Sequence, residues 1–373
     1  MSEDDAMASP FSLVTAPPLP AAQPPPIAPD QAWLRMVQTQ VEASLAELFE
    51  LPDEAAFDPR WTQAMERTRQ YALRPAKRVR PALVVAGYSL ARGSLKVPAG
   101  LWRFAAGLEL LHTFLLIHDD VADQAELRRG GPALHHLLGA GRAGEDLAVV
   151  VGDHLFSRSL EAMLSSELRG ASAASRYYLA VCRHTAAGQY LDLRLASAPL
   201  SQVTLLQALR VAHLKTARYG FCAPLVCGAM LAGADSELCE ALERVGRHVG
   251  LAFQLRDDLI GLLGDERVAG KAADGDFVQG KRTVPVLAAY LRAPAAAREE
   301  LERLWALPPE AKDAAALAQA RALVEEYGGR AACERLVERA SRTGRRALQA
   351  LPDEGGVRDL LDTLITRLAH RAA

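Results

Sequence analysis

The sequence predicts an all-α fold, built as one large bundle of helices, and three observations support this prediction. Apolar residues recur at spacings of three and four through most of the chain, which is the period of an amphipathic helix. No segment alternates apolar and polar residues as a strand would, and no Gly-rich turn joins a strand to a helix. With 373 residues, half of them apolar, the chain is long enough to bury a substantial core. We therefore expect one helical domain over residues 30–373.

The N-terminal segment departs from this pattern. Residues 1–29 hold eight of the 21 prolines and show almost no helical periodicity, so we expect a disordered or polyproline-like tail. Asp30 precedes the first helical pattern and suits an N-cap. Acidic residues stand at positions 3–5, where a signal peptide needs Lys or Arg, and no apolar run reaches the ~18 residues of a membrane span. We expect a cytoplasmic protein with no transmembrane segment.

Glycine and proline divide the rest of the chain into helices. Breaks are predicted in order at Arg92-Gly93, at residues 129–132, at residues 139–141 and between Gly264 and Gly280. The net charge is −2, so no broad basic surface indicates nucleic acid or anionic lipid as a partner. The cysteines show no CxxC spacing, which favours free thiols in a reducing compartment over zinc or disulfides. They are Cys182, Cys222, Cys227, Cys239 and Cys333.

Two clusters of aspartates are the strongest functional signal. In Asp119-Asp120-x-x-Asp123 the outer carboxylates share one helix face, roughly 6 Å apart along the axis. They would repel each other unless a cation lay between them, and Mg²⁺ prefers such oxygen ligands while leaving positions for phosphate. A solvated acidic helix end is the alternative, but the preceding residues 114–117 are all apolar. Asp257-Asp258 repeats the arrangement on a different helix, and together the clusters could hold several Mg²⁺ ions and a diphosphate.

Basic residues complement these acids. Arginine forks suit phosphate oxygens, and lysine supplies a point charge. Each basic group alone would be read as surface charge, but together with the acids they indicate a diphosphate site. The groups are Lys77-Arg78-Val79-Arg80, Arg128-Arg129, Lys215-Thr216, Gly270-Lys271 and Lys281-Arg282.

His118-Asp119 also matches the HD pair of metal-dependent phosphohydrolases. That interpretation requires further histidine ligands on other helices, and none of the remaining histidines has a persuasive spacing. It also leaves the second aspartate cluster and the arginine pair unexplained.

Taken in order, these motifs closely resemble the trans-isoprenyl diphosphate synthases, also called the polyprenyl synthetase family. The match covers most of residues 70–290. It is carried by Lys77-Arg78-Val79-Arg80-Pro81, Glu109-Leu110-Leu111-His112, Asp119-Asp120-x-x-Asp123, Arg128-Arg129-Gly130, Gly152-Asp153, Gly188-Gln189-x-x-Asp192, Lys215-Thr216, Phe253-Gln254-x-x-Asp257-Asp258 and the stretch from Gly270-Lys271 to Thr283-x-Pro285. The resemblance implies the isoprenoid synthase fold, a helical bundle around a central cavity, and a homodimer.

The resemblance also implies the role of each matched residue. Two or three Mg²⁺ ions would bind to Asp119, Asp120, Asp123, Asp257 and Asp258, which with Lys215 form the catalytic set. The allylic diphosphate would be bound by Arg128, Lys215, Lys271 and Lys281, with Thr216 and Gln254 nearby. Isopentenyl diphosphate would be bound by Lys77, Arg80, His112 and Arg129. Gln189 and Asp192 would line the cavity.

The implied reaction is ionisation, condensation and elimination. The cations stabilise the departing diphosphate while an allylic cation forms. Isopentenyl diphosphate attacks C1 and loses a proton, and an apolar cavity excludes water. Two departures from the family pattern stand out: Pro75-Ala76 replaces a glycine pair before Lys77, and Gly261 replaces the third aspartate of the second motif. We expect activity to survive both.

Product length is predicted from the residues before the first cluster. The resemblance implies that bulk at Phe114 and Leu115 forms a floor under the growing chain and stops it at C20, geranylgeranyl diphosphate, or next at C15, farnesyl diphosphate. Ordinary core packing of Phe114 is the alternative.

Two rival functions remain at this point. A class I terpene cyclase shares the ionisation step, but it usually has an Asn/Ser/Glu metal triad in place of the second aspartate pair. A non-catalytic partner subunit that regulates an active synthase would be marked by loss of the aspartates, whereas the first cluster is complete here.

Overall fold

The computed structural model describes residues 29–50, 54, 57–264, 275–353 and 356–369, and over these residues the protein is almost entirely helical. The prediction of an all-α fold is therefore confirmed. The proline-rich tail lies outside the described residues up to position 28, so its disorder stays a prediction. The first helix begins at Pro29, one residue before the predicted N-cap.

The helices are numbered in chain order. They are α1 (Pro29–Glu47), α2 (Pro59–Ala72), α3 (Val79–Arg92), α4 (Ala99–Ala122), α5 (Leu134–Leu138), α6 (Gly141–Leu164), α7 (Ala171–Ala196), α8 (Leu205–Val211), a π-helix (Ala212–Cys222), α9 (Ala223–Leu231), α10 (Ser236–Leu263), α11 (Gly275–Val278), α12 (Val284–Arg292), α13 (Ala295–Trp305), α14 (Ala314–Glu326), α15 (Gly329–Gln349) and α16 (Val357–Ala369). Short 3₁₀ turns lie at Leu200–Gln202 and Pro309–Ala311.

The predicted breaks at Arg92-Gly93, residues 129–132 and residues 139–141 lie at helix ends or between helices, and the one that begins at Gly264 follows the end of α10. Gly93 ends α3 with φ 60°, a left-handed conformation that glycine adopts without strain. After α4 the chain forms a small hairpin, in which Leu127 pairs with Pro132 and Arg128 with Gly131. These two-residue strands, β1 (Leu127–Arg128) and β2 (Gly131–Pro132), were not predicted from the sequence because they are too short to show an alternating pattern.

Helix α4 is the central element that carries the first aspartate cluster. It packs against α6, α1 and α3, and Leu101, Phe104, Leu108 and Leu111 are fully buried. Among the described helices it is the one long and apolar enough to cross a membrane, yet 67% of its most apolar stretch is buried inside the fold. Burial in the core of a helical bundle explains the apolar composition of α4.

The π-helix is held tightly between α7 and α10. A Cβ on Gly188 of α7 would lie 2.5 Å from the backbone nitrogen of Lys215. From the other side, Cβ atoms on Gly246 and Gly250 of α10 would lie 2.6 Å from the Cα atoms of Cys222 and Ala217. The absence of side chains at these glycines lets both helices approach the backbone that carries Lys215. Segments of π-helix are rare and often lie at functional sites.

Candidate active site

The outer carboxylates of the first cluster lie on the last turn of α4, each beside a lysine. The amide of Asp123 donates to the carbonyl of Asp119 at 2.8 Å, so the two residues are stacked one turn apart as the spacing predicts. Lys215 of the π-helix places its Nζ 3.4 Å from Asp119 Oδ1. Lys281, between α11 and α12, places its Nζ 3.2 Å from Asp123 Oδ2. Residues far apart in sequence therefore meet at one end of α4.

Further carboxylates share these lysines. Lys215 donates to Asp192 of α7 at 2.8 Å, and Lys281 lies 3.7 Å from Asp276 of α11. Burial opposes the charge on Lys281, but the surrounding carboxylates, Asp276 and Asp123 first, outweigh burial and raise the pKa of this lysine. The pKa of Lys215 is raised in the same way. Both lysines are therefore ammonium cations at neutral pH.

The two outer aspartates differ in their electrostatic setting. Burial favours the neutral form of Asp119, but Lys215 and Lys281 outweigh it and the pKa of Asp119 is lowered. Burial has the larger effect on Asp123, with a further contribution from the charge of Asp119, and the pKa of Asp123 is raised. A cation between these carboxylates would favour the charged form of both.

The middle aspartate, Asp120, is fully buried and has a different set of contacts. Tyr71 of α2 donates its hydroxyl to Oδ2 at 3.0 Å, while Arg128 donates Nε to Oδ1 at 2.8 Å and also donates Nη2. Both carboxylate oxygens of Asp120 are thus bound by the protein. Asp120 was predicted among the metal ligands, but these contacts favour a role in holding Arg128.

The second cluster is linked to the π-helix by hydrogen bonds. Thr216 donates its hydroxyl to Gln254 Oε1 at 2.6 Å, and Gln254 Nε2 donates to Asp258 Oδ1 at 2.8 Å. Asp258 is buried, and burial, followed by the nearby charge of Asp276, raises its pKa well above the ordinary value. Asp257 is half-buried on the same turn of α10. Gln254 therefore contacts the second cluster directly, and Thr216 is linked to it through Gln254.

A second group of basic residues lies around His112 of α4. The His112 Nδ1 and the Tyr219 hydroxyl are 2.8 Å apart, and the guanidinium of Arg80 lies over the Tyr219 ring at 4.6 Å. Burial, followed by the charges of nearby arginines with Arg80 first, lowers the pKa of His112 well below its ordinary value, so this imidazole is neutral. The Arg80 Nε is buried and has no hydrogen-bond partner among the described residues. A buried guanidinium donor without a partner fits an anion-binding site.

Glu109 connects this group to Arg129. The Glu109 carboxylate is buried and accepts from Arg129 Nη2 at 3.1 Å and from Arg78 Nη1 at 2.7 Å. Lys77 is exposed on the loop before α3, and Gln38 of α1 donates to its carbonyl at 3.3 Å. The residues predicted to bind isopentenyl diphosphate thus come from the loop before α3, α3, the middle of α4 and the hairpin, where Arg129 directly follows the Arg128 that binds Asp120.

Sequence reasoning located most of these positions but missed several side chains that hold them. The missed residues share one property, which is that they contact a predicted residue from another element: Tyr71, Glu109 as a partner of Arg129, Tyr219, Asp276 and Gln279. Gln279 Nε2 donates to the carbonyl of Asp123 at 3.2 Å. Gln279 and Asp276 lie within five residues of Lys281, and this closeness in sequence is the signal that could have identified them as site residues. Lys271 and Gly270 lie outside the described residues, so their predicted role stays a prediction.

The side chain of Phe114 packs against α6. Its ring packs against Phe156 with centroids 5.2 Å apart and against His118 at 4.6 Å. A Cβ on Gly152 would lie 2.4 Å from His118 Nε2, so this glycine lets α4 and α6 approach closely. Phe114 and Leu115 are both half-buried. Phe156 therefore forms an aromatic layer directly behind the predicted floor residue.

The environment of His118 does not favour the phosphohydrolase interpretation. Its Nε2 lies 3.1 Å from the carbonyl of Val149 and 3.9 Å from Asp153, both on α6. Over the part of the chain that the structure describes, no three His, Cys, Asp or Glu side chains form a ready metal-binding group. His118 thus packs between helices.

The donor set of the first cluster nevertheless fits Mg²⁺. Asp119 and Asp123 present carboxylate oxygens one turn apart, and burial, with the charge of Asp119, raises the pKa of Asp123, an effect that a bound cation would oppose. In this structure Lys215 is the partner of Asp119, and Lys281 is the partner of Asp123. Oxygen ligands of this kind are the ones that Mg²⁺ prefers.

Comparisons with known proteins give matches to one family and to solved structures of similar fold. A profile of the family described as polyprenyl synthetase matches residues 62–324. A short chain isoprenyl diphosphate synthase of Methanothermobacter thermautotrophicus is 35% identical over 256 residues, 68% of this chain and 73% of that protein. A geranylgeranyl diphosphate synthase of Mycobacterium tuberculosis is 37% identical over 260 residues, 69% of this chain and 70% of that protein. A crystal structure of geranylgeranyl pyrophosphate synthase from Corynebacterium glutamicum, complexed with isoprenyl diphosphate and magnesium, superposes with a TM-score of 0.81 and 28% identity over 91% of this chain and 99% of that one.

Proposed function

Since this chain belongs to the polyprenyl synthetase family and is a trans-prenyltransferase, we propose that its two basic groups bind two different diphosphates and that the enzyme joins their prenyl chains. The predicted resemblance is thereby confirmed, while the roles of individual residues are proposals. One substrate is an allylic diphosphate and the other is isopentenyl diphosphate. The observation that supports two sites is that Lys215, Lys281 and Arg128 pair with aspartates, whereas Arg80, near His112, has a buried Nε without a hydrogen-bond partner among the described residues.

The allylic diphosphate binds at the end of α4. Asp119 and Asp123, with Asp257 and Asp258 of α10, hold two or three Mg²⁺ ions, and Lys215, Lys281, Lys271 and Arg128 contact the phosphate oxygens. Bound Mg²⁺ supplies Lewis-acid stabilisation of the negative charge on the leaving diphosphate. Lys215 and Lys281 exchange a carboxylate partner for the diphosphate when it binds. Asp120, by contrast, holds Arg128 through its bond at 2.8 Å and contributes no ligand oxygen.

Isopentenyl diphosphate binds between α3 and α4. Arg80, Arg129 and the exposed Lys77 supply the positive charge, and neutral His112 contributes a hydrogen bond. The Arg80 Nε that lacks a described partner supports this assignment, because an arriving phosphate oxygen would satisfy it. The position of Glu109 between Arg129 and Arg78 keeps both guanidinium groups oriented before substrate arrives.

The reaction then needs no side-chain nucleophile. The C1–O bond of the allylic substrate breaks, and the electron pair leaves with the diphosphate. Lys215 and Lys281 stabilise the charge that develops on it. The double bond of isopentenyl diphosphate attacks C1, forming the new carbon–carbon bond, and a proton on C2 of the former isopentenyl unit passes to the released diphosphate. The apolar residues of α4 exclude water from the allylic cation.

Product length follows from the layer formed by Phe114 and Phe156. We propose that Phe114 stops elongation at C20, with C15 as the next expectation, and that Leu115 flanks the growing chain. The centroid distance of 5.2 Å between Phe114 and Phe156 supports this role, because the pair closes the space between α4 and α6.

An incubation of the pure protein with Mg²⁺, isopentenyl diphosphate and each allylic primer in turn (C5, C10, C15) tests the function. We expect condensation with at least one primer and a product of C20 or C15 after extraction and sizing. Cyclised hydrocarbon from an allylic diphosphate alone would instead indicate a terpene cyclase. Activity that appears only on addition of a second synthase would indicate a regulatory subunit. Omission of Mg²⁺ is expected to abolish condensation.

We further propose a homodimer in the cytoplasm. Leu147 and Val150 of α6, three residues apart on one face, are 51% and 58% exposed, which supports contact of this face with a second copy. The five cysteines are free thiols, which supports a reducing compartment. Light scattering on the purified protein tests the dimer, since a monomer mass at micromolar concentration contradicts it.

A further inference from the structure

The segment from Phe277 to Lys281 delivers two side chains to the first aspartate cluster. Lys281 Nζ lies 3.2 Å from the Asp123 carboxylate, and Gln279 Nε2 donates to the Asp123 carbonyl at 3.2 Å. Gly280 between them has φ 67°, which glycine adopts without strain. A Cβ there would also lie 2.9 Å from Arg282 Nη1 and 3.3 Å from Lys312 Nζ. The turn that presents Lys281 is therefore tightly packed against Arg282 and Lys312.

Lys312 and Trp305 bind the backbone of this segment through their side chains. Lys312, which follows the 3₁₀ turn after α13, donates its Nζ to the carbonyls of Phe277 at 2.9 Å and Val278 at 3.2 Å. Trp305, the last residue of α13, donates its indole Nε1 to the carbonyl of Lys281 at 3.1 Å. The Trp305 ring also packs edge-on against Phe277, with centroids 5.1 Å apart. Three carbonyls of one five-residue segment thus accept from Lys312 and Trp305, and a fourth, that of Gly280, accepts from Arg282 Nη1.

Lys312 is an unusual residue for this position. Only 9% of it is exposed, its ammonium donates to the two carbonyls, and no carboxylate lies within 4 Å of it among the described residues. Burial, with the neighbouring charge of Arg282, lowers the pKa of Lys312 to about 8. An apolar side chain would pack here at lower cost. What the ammonium adds is an anchor for two carbonyls at the end of α11, of which that of Phe277 also accepts from the amide of Gly280 at 2.9 Å.

We propose that Lys312 and Trp305 are positioning residues for Lys281: they fix the backbone of residues 277–281 so that Lys281 and Gln279 reach Asp123. The inference rests on the proposed function, because it takes Lys281 as a ligand of the allylic diphosphate. A lysine held in place before substrate arrives loses less freedom on binding. Lys312 and Trp305 therefore contribute to affinity for the allylic diphosphate without touching it.

Two kinetic constants separate this role from a general structural one. Isopentenyl diphosphate is bound around His112, away from the 277–281 segment, so its KM should not change. In Lys312→Met we expect KM for the allylic diphosphate to rise about tenfold, the factor that corresponds to ~1.4 kcal/mol, with kcat changed less than KM. Lys312→Arg keeps the donor groups and should recover most of the loss. Lys96→Met, the same substitution at an exposed lysine, is the matched control.

Trp305→Phe provides an independent variant. It removes the indole donor to the Lys281 carbonyl while keeping an aromatic ring against Phe277, and we expect the same rise in KM for the allylic substrate. Calorimetric binding of an unreactive allylic thiolodiphosphate in the presence of Mg²⁺ gives a readout that needs no turnover. Both variants should bind this analogue more weakly than the wild type, by the same factor as the rise in KM.

The proposal is overturned if both variants melt at the wild-type temperature and keep the allylic KM within twofold. It is also overturned if KM for both substrates rises equally, since that indicates a general loss of packing. Should Lys312→Met fail to fold, Trp305→Phe decides. If the wild type binds the analogue but does not condense, the proposed function fails, and the binding comparison still tests the role of Lys312 and Trp305.

Discussion

The carboxylate of Asp276 occupies the space in which a side chain on residue 261 would begin. Its Oδ2 lies 2.5 Å from the position of a Cβ on Gly261, and its Cγ lies 2.7 Å away. Position 261 carries an aspartate in the pattern that the sequence resembles. In this protein the missing side chain leaves room for a carboxylate from α11, which also lies 3.7 Å from Lys281.

Gly261→Ala is therefore expected to displace Asp276 from this position. The added methyl group requires the Asp276 carboxylate to move, which disturbs the contact of Lys281, and kcat/KM for the allylic diphosphate should fall several-fold with folding intact. Asp276→Asn, which removes the charge without changing shape, should lower kcat/KM in the same direction. Steady-state kinetics with varied allylic substrate measures both.

Gly261→Asp, which restores the aspartate of the family pattern, tests the role of Asp276 more directly than Gly261→Ala. Gly261→Asp places a second carboxylate beside Asp276, close to the buried Asp258, and like charges at this spacing oppose each other. We expect Gly261→Asp to be less active than the wild type. Activity equal to or above the wild type would show that Asp276 moves aside without consequence.

How far the sequence predicted this site depends on how local each contact is. The outer aspartates of the first cluster share a helix face because a helix has 3.6 residues per turn, and that followed from spacing alone. The partners of Asp120 did not, since Tyr71 comes from α2 and Arg128 from the hairpin, and both contact Asp120 only in the folded chain. The same limit applies to Lys312, whose sequence neighbours give no signal that it meets the end of α11. The two-residue strands of the hairpin were too short to predict.

The Tyr71 hydroxyl is expected to hold Asp120 in the orientation that binds Arg128. Tyr71→Phe removes one hydrogen bond to a buried charged acceptor, which costs about 1.5–3 kcal/mol of stability. We expect a higher KM for the allylic diphosphate but an unchanged Mg²⁺ concentration at half activity, because both oxygens of Asp120 already accept from Tyr71 and Arg128. A shift in Mg²⁺ dependence as large as that of Asp119→Asn would contradict this assignment and favour the predicted ligand role of Asp120.

Gly188 is expected to tolerate no side chain. A Cβ at this position would lie 2.5 Å from the Lys215 nitrogen and 2.9 Å from the Leu214 carbonyl carbon, and these backbone atoms have little room to move. Gly188→Ala should therefore destabilise the protein by about 1–3 kcal/mol and displace Lys215. Urea unfolding and kcat measure the two effects. Ala187→Ser, at an exposed neighbouring position, serves as the control, and equal stability of the two variants would refute the tight packing of α7 on the π-helix.

Phe114→Ala is expected to lengthen the product, and Phe156 limits by how much. Removing the first ring opens the space above Phe156, whose centroid lies 5.2 Å away. The single variant should gain about one isoprene unit, and Phe114→Ala with Phe156→Ala should gain more than either change alone. Chromatography of the dephosphorylated products measures chain length. An unchanged product from the double variant would show that Phe114 is ordinary core packing.

The stability of the protein is expected to depend on Lys312 between about pH 8 and its ordinary pKa of 10.5. Within this window the folded state releases the proton while the unfolded state keeps it, so the unfolded state binds more protons and stability rises with pH. The wild type should therefore become more stable relative to Lys312→Met as pH increases from 8 to 10.

The charged side chains that line the cleft beside Lys312 are Arg282, Glu299, Glu302 and Arg303. The pKa of Glu302 is lowered: burial opposes its charge, but the amide donors of Ser201 and Leu200 outweigh burial, so its charge is constant across the window. Urea unfolding of both proteins at pH 7.5, 8.5 and 9.5 measures the difference, and a difference that stays constant or falls with pH would show that Lys312 remains charged in the fold.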